Sequence, residues 1–111
     1  MAAKGEELVV IYALFPNSGE AVDACRRLLQ ERLIASAIRL SPGISHYEWM
    51  GEMQSAEEHA VILKTTSALA DAAMERLAKL HSYDLPAILQ WPVAKADSGF
   101  AEWVAKVTGR S

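Results

Sequence analysis

The sequence predicts one α+β domain, a ferredoxin-like β-α-β-β-α-β sandwich with a long central hairpin and a short C-terminal helix. Three observations predict it. An unbroken apolar run, Leu8 to Phe15, opens the chain as a strand. Two stretches with helical spacing follow it, separated by a segment whose apolar period is two. A third, shorter helical stretch closes the chain. The 111 residues suffice for one hydrophobic core and not for two, so 1–111 is read as a single domain with its core at about 8–107.

The first run is rich in β-formers and carries no polar residue, which predicts a strand buried on both faces. Pro16-Asn17-Ser18-Gly19 stops it, and Asn17 with Glu20 three residues on forms a capping box. Ala21, Cys25, Leu28 and Leu29 then make the core stripe of a first helix. From Ile34 the period changes: Ile34, Ser36, Ile38 and Leu40 share a face. Pro42-Gly43 interrupts that strand, because proline cannot donate to a ladder. Alternation resumes from Ile44 to Met50, turns near Gly51-Glu52, and returns at His59 to Thr66, with Gln54 to Glu58 read as irregular.

A second helix starts at a Thr66 or Ser67 cap, with Leu69, Ala73, Leu77 and Leu80 as its stripe and Asp71 in its first turn. His81 to Pro86 is a loop, Ala87 to Trp91 a last strand ended by Pro92. Asp97 or Ser98 caps the short third helix, which carries Phe100, Trp103, Val104 and Val107 on one side. Both main helices then lie on one face of the sheet. The aromatic set Tyr47, Trp49, Trp91 and Trp103 exceeds what that layer buries, so self-association over the second face is expected.

A net charge of −3 with scattered lysines and arginines, Lys4 among them, offers no field for a phosphate backbone, so no nucleic-acid partner is expected. No run approaches the ~20 apolar residues of a membrane helix, so no membrane partner is expected either. Cys25 is the only cysteine, which leaves neither an internal disulfide nor a multi-thiolate zinc site within one chain. Glu6 and Glu7 precede the first apolar run where a secretory leader would be basic. A cytoplasmic location is expected. No Gly-x-Ser-x-Gly elbow, no base beside Cys25 and no glycine-rich phosphate loop is present, so no enzymatic activity is assigned.

His81, on a loop, is the best single candidate for a metal ligand or a cleft contact; its structural alternative is a histidine at a helix C-terminus bonded to a carbonyl. His46 and His59 lie on the hairpin without chelating spacing, and are weaker candidates. Tyr47 and Trp49 share a face and are assigned to an intersubunit surface. Lys64 is a candidate contact for an anion in a cleft, against the plainer reading of a solvated lysine.

Six segments in order carry a resemblance: Glu31 to Ser36; Pro42-Gly43-Ile44-Ser45; Tyr47 to Glu52; Lys64-Thr65; His81-Ser82-Tyr83 with Pro86; and Leu89 to Val93, with Trp103 beyond them. Together they resemble the CutA family, the bacterial divalent-cation tolerance proteins of periplasmic or cytoplasmic type. The resemblance implies a homotrimer whose hairpins embrace their neighbours, close in architecture to the nitrogen-regulatory PII proteins. It also implies weak binding of copper or another divalent metal ion in response to metal, with no required cofactor. Tyr83 and Trp103 join the cleft and interface candidates on this ground. Three positions depart from the family pattern. Ser36 replaces a frequent cysteine, removing a soft ligand for Cu(I); Ser82 replaces a proline; Ala87 replaces an acid. Two rivals stand beside this reading: a PII-like signalling or assembly module that takes a small anion or a partner at intersubunit clefts, and an enzyme built on a ferredoxin-like dimer.

Overall fold

The computed structural model describes residues 7–109; Lys4 and Glu6, and the remaining ends of the expected 1–111 domain, lie outside them. The order is β1 (Leu8–Phe15), α1 (Ser18–Gln30), β2 (Ser36–Arg39), β3 (Gly43–Trp49), β4 (Glu52–Thr66), α2 (Ser67–Leu80), β5 (Ile88–Pro92) and α3 (Ser98–Thr108). All pairing is antiparallel. The strands run β2-β4-β1-β5, and β3 pairs with the far half of β4.

Register explains the layering. Ile11 lies opposite Leu63 and Ala13 opposite Val61, and these residues meet Ala21, Ala24, Leu28, Ala73 and Leu77 of the two helices in the main core. Leu29, expected in the α1 stripe, is exposed instead, and Ala24 takes its place. β1 is fully buried only on this helical face. Its alternate residues Val10, Tyr12 and Leu14 are half-buried on the second face. There α3 covers one end, where Val104 packs with Leu8 and Ala35. The rest is open: Ile38 is 49%, Leu89 56% and Trp91 44% exposed. Residues paired opposite one another share a face, so Ile38 and Leu89 line up with Ile62 and Tyr12, and Trp91 with Val10.

Caps fix the helix ends. The Asn17 side chain accepts the Glu20 N–H at 2.9 Å and that of Asp97 accepts the Phe100 N–H at 3.0 Å. Thr66 caps α2 without a side-chain bond. Asp71 stands just past the first turn, where it accepts a bond from Gln90 of β5 at 2.8 Å. At the end of α1, Leu33 N–H bonds Leu28 O and Arg32 N–H bonds Leu29 O, the Schellman pattern. Arg32 holds φ 58 there, a left-handed conformation that costs a side-chain-bearing residue free energy. Arg32→Gly is expected to raise stability by about 0.5–1 kcal/mol, read as a higher urea midpoint at unchanged slope.

The hairpin departs from expectation in one respect. Gln54–Glu58, read as irregular, belongs to β4, which is a continuous strand of 15 residues. Its polar sequence hides the strand because little of that end is buried in the protomer. Pairing with β3 from Gly43↔Glu58 to Trp49↔Glu52 holds it extended. Met50 (φ 52) and Gly51 (φ 81) form the two-residue tip, the backbone sense that matches strand twist. Among the described residues no helix is long and apolar enough to cross a membrane.

Candidate functional site: a cavity under the hairpin

Where β3 and the outer half of β4 extend past β1, the second face of the sheet is roofed by the loop after α2. An open cavity of about 790 Å³ results. Ser45, Tyr47, Trp49, Gln54 and Glu58 line it from the hairpin; the β3–β4 register places all five on one face. Ser82 to Leu85 close it from the loop, with Leu14 and Ala87 below and His46 at its margin.

His81 holds the loop in place. Its Nδ1 accepts the Tyr83 N–H at 3.1 Å, which leaves the proton on Nε2 to donate to Leu14 O. The ring stacks on Phe15 at 4.6 Å and leans on Tyr83 at 4.9 Å. With both nitrogens engaged and the residue buried, His81 could bind a metal only after breaking one of these bonds. Ser82 is fixed as well: its N–H and hydroxyl both donate to the Glu20 carboxylate, at 3.2 and 2.9 Å. Glu20 thus ties the loop to the start of α1.

The structure gathers Tyr47, Trp49 and Tyr83 around one cavity with His46 nearby. It does not bring the other candidates there. Lys64 stands mid-sheet between Val10 and Ser36; Trp103 stacks on Phe100 in α3; and His59 faces Glu57, Nε2 to Oε2 3.1 Å. Cys25 is buried in the α1 stripe, where desolvation raises its thiol pKa.

Sequence reasoning missed Glu58. It is 8% exposed, and its Oε2 is buried without a hydrogen-bond partner among the described residues. The missed signal is the strand itself: extended back to Glu52, the alternation puts Glu58 on the face of Ala60 and Ile62. Burial pushes the Glu58 carboxyl above the usual carboxylate range, partly offset by His81 and His59. Tyr83 is pushed up too, by burial and then by the Glu58 charge beside it.

A raised carboxyl favours folding while it is protonated; that contribution is complete below the ordinary carboxylate pKa and is lost as pH rises through the folded value. Glu58→Gln is therefore expected to stabilise the protein at pH 7 and to do so by less at pH 4. Urea titrations at the two pH values read the difference.

The profile of the family described as CutA1 divalent ion tolerance protein matches residues 9–107. The chain belongs to the CutA1 family. It is 34% identical over 101 residues to the divalent-cation tolerance protein CutA of Pyrococcus horikoshii, covering 91% of this chain and 98% of that one. With the corresponding protein of Thermotoga maritima it is 35% identical over 99 residues, 87% and 95% of the two chains. It spans 55% of the length of the chloroplastic CutA of Arabidopsis thaliana, to which it is 32% identical. The crystal structure of CutA1 from Oryza sativa superposes with a TM-score of 0.91 at 27% identity, over 98% of this chain and 100% of that one. That of Ehrlichia chaffeensis gives 0.89 at 33%, over 93% and 96%. The CutA1 family is described by tolerance of divalent ions rather than by a reaction. Among the described residues of this CutA1 chain, no three of His, Cys, Asp and Glu gather as a metal site.

Proposed function

We propose that the chain is a homotrimeric CutA-type divalent-cation tolerance protein of the cytoplasm, which responds to metal by weakly binding copper or another divalent ion where protomers meet. The observation that carries this reading is the uncovered apolar face of the sheet, with Ile38, Leu89 and Trp91 half open to solvent. A patch of this kind marks an association surface. Next to it, the acids Glu58 and Asp84 line one cavity, with His46 at its margin on the other face of the hairpin. They form at most a partial ligand set, and a neighbouring protomer would have to complete it. Weak binding suits a set that offers carboxylates and an imidazole but no thiolate for a soft ion. The cytoplasm suits a chain whose one thiol, Cys25, is buried and unpaired.

The other reading, a module that takes a small anion, needs a cation at the cavity. Among the described residues of the protomer no lysine or arginine lines it, and Lys64 lies elsewhere on the sheet. Light scattering combined with copper calorimetry tests the proposal. A mass of three protomers is expected, with saturable micromolar binding weakened about tenfold in His46→Ala. A dimer would favour the enzyme-type barrel instead. Copper, zinc and nickel all failing to bind in that range would end the metal role.

A further inference from the structure

The geometry points to a site for a soft monovalent metal ion, Cu(I), at the tip of the hairpin, held by the thioethers of Met50 and Met53 and the imidazole of His46. The two methionines are the reason to look here. Met50 is 88% and Met53 78% exposed, more than any other large apolar side chain among the described residues. They stand among Glu48, Glu52, Gln54 and Ser55, where they do no packing within the core of the protomer.

All three ligands belong to one hairpin. Trp49↔Glu52 closes its two-residue tip, so Glu48↔Met53 and His46↔Ser55 are the closer, non-hydrogen-bonded pairs. Both project on the face opposite Tyr47, Trp49 and Glu58. That face continues the helical side of the sheet and is turned away from the surface that self-association would cover. His46 and Met53 form the diagonal of the two pairs, about 7–8 Å apart and within reach of long side chains. The right-handed twist of the ribbon draws this diagonal in. Met50 holds the first place of the tip, on an unbranched side chain free to turn toward the pair.

Donor type selects the ion. A thioether is a neutral, soft ligand that favours Cu(I), whereas hard divalent ions are served by oxygen. No three of His, Cys, Asp and Glu come together among the described residues; two thioethers and one imidazole supply a three-donor set of another kind. The other sulfurs described are not available: Cys25 is buried in α1, and the Met74 sulfur accepts a bond from Gln90 at 3.0 Å.

The site shares His46 with the divalent reading but not the thioethers, and its test keeps the two apart. The acetonitrile complex of Cu(I) is titrated anaerobically into the purified protein in its solution oligomeric state, and the methionine methyl resonances are followed. Saturable shifts of the Met50 and Met53 methyls in the micromolar range are expected, while Met74 stays in place and Zn(II) moves none of them. Met53→Leu, which conserves volume, is expected to weaken the Met50 response by about tenfold or more, the loss that even an outer-shell partner costs a metal site. His46→Ala is expected to do the same, and Cys25→Ala to leave the response unchanged. The unaltered protein alone decides if a variant misfolds. Met50 and Met53 methyls that do not respond to Cu(I), an equal response in Met53→Leu, or equal shifts with Zn(II) would each overturn the site.

Discussion

Under the self-association proposed above, Leu89→Asp is expected to leave a folded species of protomer mass, 12.1 kDa. Leu89, on the edge strand β5, pairs with Tyr12 on the sheet's second face and is 56% exposed in the protomer. Within one chain, a carboxylate there stays in water and costs the fold little. In a symmetric assembly that covers this face, each copy buries its own unpaired charge, at about 3–5 kcal/mol apiece. Summed over three subunits, about 9–15 kcal/mol, this is of the order of a nanomolar association free energy. Light scattering reads the mass and circular dichroism reads the fold. An unchanged mass would move the interface off this face.

His81→Ala is expected to cost about 2–4 kcal/mol of stability. The substitution removes the donor to Leu14 O and the acceptor of the Tyr83 N–H, and leaves both backbone groups to find new partners in a confined space. It also removes the stacking on Phe15, one of the largest fully buried side chains. Urea unfolding measures the loss. Copper affinity per folded protein is expected to stay unchanged, because the histidine's nitrogens are already spent on the backbone. An affinity that falls with an intact fold would instead make His81 a ligand.

How much of this could be read in the sequence depended on how local the causes were. β1, the break at Pro42-Gly43, and the caps Asn17 and Asp97 follow from chemistry within a few residues, and they stand where the sequence put them. Gln54 to Glu58 does not, since its extended backbone is imposed by β3 and not by any alternation of its own. His81 could be placed on the loop, but its partner Leu14 lies 67 residues away, and nothing in the local pattern announces that bond. Glu58 was hidden twice. It fell in a stretch that looked irregular, and its burial arises only when the hairpin and the loop at 82–85 come together. The colinear motifs identified the family; they said nothing of an acid buried without a partner in the protomer.

β1 lies between β4 and β5, with Leu8 opposite Thr66 and Ala13 opposite Ile88. A ribosome therefore releases the most apolar strand first and the strands that will flank it last. Until residues 66 and then 92 have emerged, β1 has neither ladder to join, while the hairpin of β3 and β4 can close within its own few dozen residues. Pairings that span so much chain form slowly, and an unpaired apolar strand is the usual seed of misassembly during synthesis. The nascent chain is accordingly expected to be most vulnerable early, before β4 is complete, and to close its sheet only once residue 92 is available.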